Sequence, residues 1–218
     1  MIPLKAVLFD LDGTLLDSLA DIADAMNTVL TKLGFPTHPL GAYRYFVGDG
    51  VPLLVQRAFP GQTGDPDLIA RGGSLLRDEY RNSWNKKTRP YSGVPELLDG
   101  LSRREVPMSV FSNKPDEFTQ IMVSTLLRGW DFSFVRGIKP GTPRKPDPKG
   151  AMDACRSMGV KAAEVCYLGD TKTDMETAEN AGMFAVGALW GFRTREELES
   201  SGARKVIEWP EELLQFFT

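Results

Sequence analysis

The sequence predicts an α/β fold, a parallel-sheet core with an all-helical domain inserted after the first strand. Apolar runs without alternation at 5–9, 106–111, 165–168 and 184–189 suit strands covered on both faces. Helical patterns at 94–103, 116–128, 148–158 and 173–181 alternate with them, as crossover connections require. The third observation is an interruption. Between the first strand and the second the chain reads almost wholly as helix, far longer than one crossover.

The elements justify themselves in order. Lys5-Ala6-Val7-Leu8-Phe9 is rich in strand formers and stops at Asp10. Ser18, with Asp21 three residues on, has the spacing of a capping box. Leu19, Ile22, Ala23, Met26, Val29, Leu30 and Leu33 then form an apolar stripe, and Gly34-Phe35-Pro36 ends that helix. More helix is expected at 51–59 and 67–86, the latter interrupted by Gly72-Gly73. The inserted domain is expected to span 16–90, leaving 1–15 and 91–218 as the core. Its connections, 13–17 and 86–93, would be hinges for a lid over the end of the first strand. A weakly marked further strand is expected near 132–135.

Composition narrows the function. The 218 residues allow one large or two small domains, with apolar and charged fractions ordinary for a soluble globular protein. A net charge of -3 gives no general attraction to nucleic acid or anionic membrane. Trp84, Trp130, Trp190 and Trp209 are scattered and form no stacking platform. No apolar run is long enough to span a bilayer, and the start lacks a basic segment followed by a long apolar run. Cys155 and Cys166 are too few for a disulfide framework and read as reduced and structural, in a cytoplasmic protein. His38, in a Pro-rich loop without a Ser or Cys partner in a catalytic setting, also reads as structural.

Ligands of open α/β sheets bind outside the carboxyl ends of the strands. The first strand is followed there by Asp10-Leu11-Asp12-Gly13-Thr14, the second by Ser112-Asn113-Lys114, and the 165–168 strand by Gly169-Asp170, with Asp174 four residues on. Asp10 and Asp12 fall on one side if the chain stays extended, and such neighbours need a cation or a shared proton. With Asp170 they make an all-oxygen set that suits Mg²⁺. One carboxylate could attack phosphorus while the other handles the leaving oxygen and then water; we assign Asp10 the first role and Asp12 the second. Alone, an Asp-x-Asp-Gly is equally a turn. Ser112 and the amides of Asn113 and Lys114 could hold phosphoryl oxygens at the mouth of the next helix, or Ser112 could simply cap it. Lys145, in the stiff Arg144-Lys145-Pro146-Asp147-Pro148, could aim an ammonium at phosphate and nucleophile. Asp174, favoured anyway in a first helical turn, could orient Lys145 or a metal-bound water.

Jointly these segments resemble the haloacid dehalogenase superfamily: Asp10 to Thr14 its first motif, Ser112-Asn113-Lys114 its second, Lys145-Pro146 its third, and Gly169-Asp170 through Asp174 its fourth. The resemblance implies a Rossmann-like core with a mobile helical cap. It also implies Mg²⁺ held by the side chains of Asp10 and Asp170 and by the Asp12 backbone carbonyl, which leaves the Asp12 carboxyl for proton transfer. Within the superfamily the chain is most similar to phosphoglycolate phosphatases, through 9–18, 46–51, 89–93 and 169–182. It departs from them at Ser92, often proline there, and in 137–141, which lacks an acidic residue after the glycine.

The expectation is therefore an Mg²⁺-dependent phosphatase acting through an aspartyl-phosphate on a small phosphorylated metabolite, with 2-phosphoglycolate the best guess. It would be a monomer or homodimer with no nucleic-acid or membrane partner. Arg44 and Asp49, around Gly48-Asp49-Gly50, are the expected specificity residues of the cap. Dehalogenases and phosphonate hydrolases of this fold would differ at position 12. A sugar-phosphate mutase of the β-phosphoglucomutase type would keep both aspartates but need a cap cation for a second phosphate. A signalling receiver domain, from another functional class, would need neither Asp12 nor a lid.

Overall fold

The computed structural model describes residues 3–62 and 64–217. Met1 and Ile2, which begin the segment read for a leader, lie outside them. The chain divides into two compact units, one made of residues up to Leu16 and from Pro90 onward, the other of Asp17–Arg89.

Strand β1, Ala6–Phe9, is fully buried on both faces. The chain leaves the first unit through β2, Leu16–Asp17, and returns through β3, Arg89–Pro90, which pairs with β2. Between them lie α1 (Leu19–Lys32), α2 (Leu40–Phe46), α3 (Val51–Ala58) and α4 (Pro66–Arg81).

The predicted stripe of α1 is buried from Leu19 through Leu30. The expected capping box is absent. Ser18 makes no capping bond, and Asp21 turns instead to the far end of the unit, accepting from Lys87 N (2.9 Å), Thr88 N (2.9 Å) and Thr88 Oγ1 (2.7 Å). A carboxylate only 1% exposed needs several donors, and this segment supplies three. Helix α4 ends at Arg81, short of the expected 86. There Asn82 and Ser83 side chains bond back to the carbonyls of Asp78 and Glu79 and so compete with further helical turns. His38 has a structural place, its Nε2 2.7 Å from the Ala58 carbonyl and its ring edge-on to Tyr43 and Phe46.

The first unit continues with α5 (Val94–Arg103), β4 (Met108–Pro115), α6 (Asp116–Leu126), β5 (Phe134–Ile138), α7 (Lys149–Met158), β6 (Val165–Gly169), α8 (Lys172–Ala181), β7 (Phe184–Ala188), α9 (Arg195–Ser200) and β8 (Lys205–Ile207). Its six strands form a parallel sheet in the order β5-β4-β1-β6-β7-β8. This is the α/β, Rossmann-like core expected. On one face Ala6, Leu8, Phe111 and Tyr167 pack with Ala151, Ala154, Met175 and Ala178 of α7 and α8, while Val7 and Phe9 are equally buried on the other. Both cysteines are free and buried. Among the described residues no helix is long and apolar enough to cross a membrane.

The strand order positions the site. The chain builds outward from β1 through β4 and β5, then resumes on the other side of β1 with β6, β7 and β8. A reversal of this kind opens a crevice at the carboxyl ends of the central strands, where β1, β4 and β6 deliver Asp10, Ser112 and Asp170. Strand β4 runs farther than its apolar run. Residues 112–114 belong to the strand, with an irregular register between Phe111 and Pro115, and α6 starts only at Asp116. Ser112 is therefore neither a helix cap nor at a helix mouth.

Candidate active site

Asp10 follows the last residue of β1, its amide bonded to the Leu168 carbonyl of β6. Asp170 follows β6. Its Oδ1 accepts from Thr14 Oγ1 (2.8 Å) and its Oδ2 from the Phe192 amide (2.8 Å). Gly13 lets the loop after Asp10 pass close: its φ is 87°, and a Cβ there would lie 2.3 Å from Asp170 Oδ2. Asp174, in the first turn of α8, accepts on Oδ2 from Thr171 N (2.9 Å) and Thr171 Oγ1 (2.7 Å). Its Oδ1 accepts from Lys145 Nζ at 2.6 Å. The structure thus joins Asp174 to Lys145 directly.

Asp10, Asp170 and Asp174 are all buried and offer carboxylate oxygens within 4.8 Å of one another. Lys145 Nζ lies 2.9 Å from Asp10 Oδ1 as an ion pair, and that buried oxygen has no hydrogen-bond partner of good geometry. Burial pushes the Asp10 carboxyl up to about 6, with Lys145 opposing and Asp174 adding to the rise. Burial, then the charges of Asp174 and Asp10, hold Asp170 well above the usual carboxylate range. Burial works against the Lys145 ammonium, yet Asp10 and Asp174 outweigh it and keep its pKa well above normal. One ammonium among three buried carboxylates leaves the site short of positive charge. A hard cation with oxygen ligands fits that deficit and the orphaned oxygen.

Asp12 stands apart. Its carboxyl is not in the cluster and instead meets Lys114 Nζ at 3.1 Å on Oδ1 and 3.0 Å on Oδ2. Ser112 is buried within β4, its Oγ 3.3 Å from the Lys114 amide. Asn113 follows Ser112 in the strand. Its side chain is engaged by the main chain of Lys145 at both ends, accepting from Lys145 N (2.8 Å) and donating to Lys145 O (3.3 Å). An amide so used orients the lysine rather than presenting its side chain to phosphate.

The expected specificity residues lie in the helical unit. Arg44 is in the last turn of α2 and exposed. Asp49 pairs with Arg57 at 2.6 Å, and Arg57 also donates to the carbonyls of Tyr45 and Phe46. Sequence reasoning passed over Arg57, the side chain of Lys114, and the donors Thr14, Thr171 and Phe192. Only Thr14 and Lys114, which stand in the segments Asp10 to Thr14 and Ser112-Asn113-Lys114, carried a signal.

Residues 7–188 match the haloacid dehalogenase-like hydrolase family. The chain belongs to that family. It is 32% identical over 208 residues to a phosphoglycolate phosphatase of Pseudomonas syringae pv. tomato, covering 94% of this chain and 76% of that protein. It is 31% identical over 217 residues to one from Vibrio parahaemolyticus, covering 97% and 95%. Among solved structures, a candidate phosphoglycolate phosphatase from Lactobacillus delbrueckii subsp. bulgaricus superposes with a TM-score of 0.91 at 29% identity, over 98% of both chains. A haloacid dehalogenase-like family hydrolase from Streptococcus pneumoniae shares the fold, with a TM-score of 0.89 at 24% identity over the whole of both chains. This family member is accordingly a phosphoric monoester hydrolase, similar in sequence to phosphoglycolate phosphatases.

Proposed function

We propose that the chain hydrolyses a small phosphomonoester, 2-phosphoglycolate by preference, through an aspartyl-phosphate on Asp10 and with Mg²⁺. The observation that carries this is Asp10 itself: a buried carboxylate at the end of the central strand, one oxygen without a hydrogen bond, beside Lys145 and two further carboxylates. Asp10 attacks phosphorus, the bond to the leaving oxygen breaks, and Asp12 gives that oxygen a proton. Asp12 then takes a proton from water as the water oxygen bonds to phosphorus and the Asp10–phosphorus bond breaks, releasing phosphate. Lys145, the Ser112 hydroxyl and the main-chain N–H of Asn113 face the phosphoryl oxygens. The carboxylates of Asp10 and Asp170, the Asp12 carbonyl and the neighbouring Asp174 would hold Mg²⁺, whose charge offsets those oxygens. The preference for 2-phosphoglycolate rests on the relatives.

The test is a panel of 2-phosphoglycolate, sugar phosphates, nucleotides and pyrophosphate, assayed with Mg²⁺ and again with EDTA. The expected result is highest kcat/KM on 2-phosphoglycolate and no turnover in EDTA. Undiminished turnover in EDTA would overturn the metal assignment, and a better substrate in the panel would replace the ester.

A further inference from the structure

The two buried lysines of this site serve different carboxylates. Lys145 contacts Asp10 and Asp174, whereas Lys114, its side chain 4% exposed, contacts both oxygens of Asp12 at nearly equal distances. The Lys114 contact belongs to neither the nucleophile nor the three-carboxylate cluster. Stability alone is a poor reason for it, since a buried ion pair gives little net gain over packed apolar residues.

We propose that Lys114 is the positioning residue of the acid/base Asp12. It holds the carboxyl in place and offsets the charge that appears there as the proton leaves. This rests on the phosphatase reading above. When the Asp10–phosphorus bond forms and the ester bond breaks, the Asp12 proton passes to the leaving oxygen and a carboxylate remains. The Lys114 ammonium already lies against both of its oxygens, so the product of proton donation meets a preorganised counter-charge. The same contact fixes that carboxylate while it accepts the proton of the attacking water. Lys114 acts on the reaction through Asp12, so its loss should be felt where proton donation limits the rate.

Single-turnover phosphoryl transfer from an alkyl and an aryl phosphate separates the possibilities, run on wild type, Asp12→Asn, Lys114→Met and the double variant. Lys114→Met should slow the alkyl ester about 10- to 100-fold, part of the ~10²–10⁴ that acid–base catalysis supplies, and the aryl ester by under about 3-fold. In the Asp12→Asn background it should add less than about 2-fold, the non-additivity of residues acting as a unit. Lys114→Arg should restore most of the alkyl rate, and Lys114→Gln is read as Lys114→Met if the methionine variant does not fold. Additive losses, or equal slowing of both esters, would overturn the assignment. Should Asp12→Asn show the leaving-group dependence while Lys114→Met does not, Lys114 alone falls. If Asp12→Asn lacks it too, the acid/base reading falls and takes this one with it.

Discussion

Asn113 clasps the main chain of Lys145 from 32 residues away, accepting from its N–H at 2.8 Å and donating to its carbonyl at 3.3 Å. Asn113→Ala leaves two buried backbone groups unpaired, at a cost of about 1–3 kcal/mol each. It also loosens a lysine whose placement against Asp10 matters, and small displacements of catalytic groups are costly. We expect a lower Tm and a fall in kcat of about 10-fold or more. If the Tm falls while kcat stays at the wild-type value, the clasp serves folding alone.

Asp10→Asn should fold and lose essentially all hydrolysis, because the amide is nearly isosteric but is no nucleophile. A variant purified free of wild type and retaining more than about a hundredth of kcat, a loss of only ~2.7 kcal/mol, would count against Asp10.

The carboxylate cluster should make the metal-free protein sensitive to pH in an unusual direction. The folded state holds protons on Asp10, up to about 6, and on Asp170 that the unfolded chain releases near its ordinary value of 3.8. Protons bound in excess by the folded state mean that stability falls as pH rises. In EDTA the Tm should therefore decline from about pH 4 through pH 6 and above, and Asp10→Asn should flatten part of that decline. Mg²⁺ at ~100 times its Kd should add about 2.7 kcal/mol at neutral pH, or roughly 5–11 °C for a chain of this size. No rise in Tm with Mg²⁺ would contradict the metal assignment.

Adjacent glycines in α4 should respond oppositely to alanine. A Cβ on Gly72 would lie 2.7 Å from Val55 Cγ1 and 2.8 Å from Phe59 Cε2, whereas on Gly73 it meets only Val51 Cγ1 at 3.5 Å. Gly72→Ala should cost about 1–3 kcal/mol through overpacking. Gly73→Ala should gain about 0.5–1 kcal/mol from helix propensity. Chemical denaturation of both variants measures the difference directly.

Arg44→Ala and Asp49→Ala, made singly, should change the ranking of phosphate esters in kcat/KM. The Asp49–Arg57 pair is about a quarter exposed on each side, so breaking it should cost no more than ~1 kcal/mol. An altered ranking at nearly constant Tm would then report selection, and an unchanged ranking would remove this loop from substrate choice.

Strand ends were the legible part of this molecule. In a sheet buried on both faces, the first polar residue after an apolar run marks the carboxyl end for Asp10 and Asp170, whereas Ser112 lies inside β4, which runs on to Pro115. Lys145 and Asp174 could be found because a stiff Pro-flanked segment and a helix's first turn limit where they lie. Other parts left no residue-type signal. The amide of Phe192 that bonds Asp170 could belong to any side chain, and the course of Lys114 depends on the irregular end of β4. Strand β8 has three residues, too few for a pattern. Helix α9 could have been read, because Thr194 and Glu197 form a capping box in the structure.

The bonds from Lys87 and Thr88 to Asp21 hold the exit of the helical unit against the first turn of its first helix. Entry and exit thus emerge side by side, where Leu16–Asp17 pairs with Arg89–Pro90. A host chain interrupted there has almost no gap to bridge, and little closure entropy is lost in carrying the insert. The segment is in that sense portable. A short turn could replace it, or another insert with equally close ends could take its place, without a new register for any strand of the sheet.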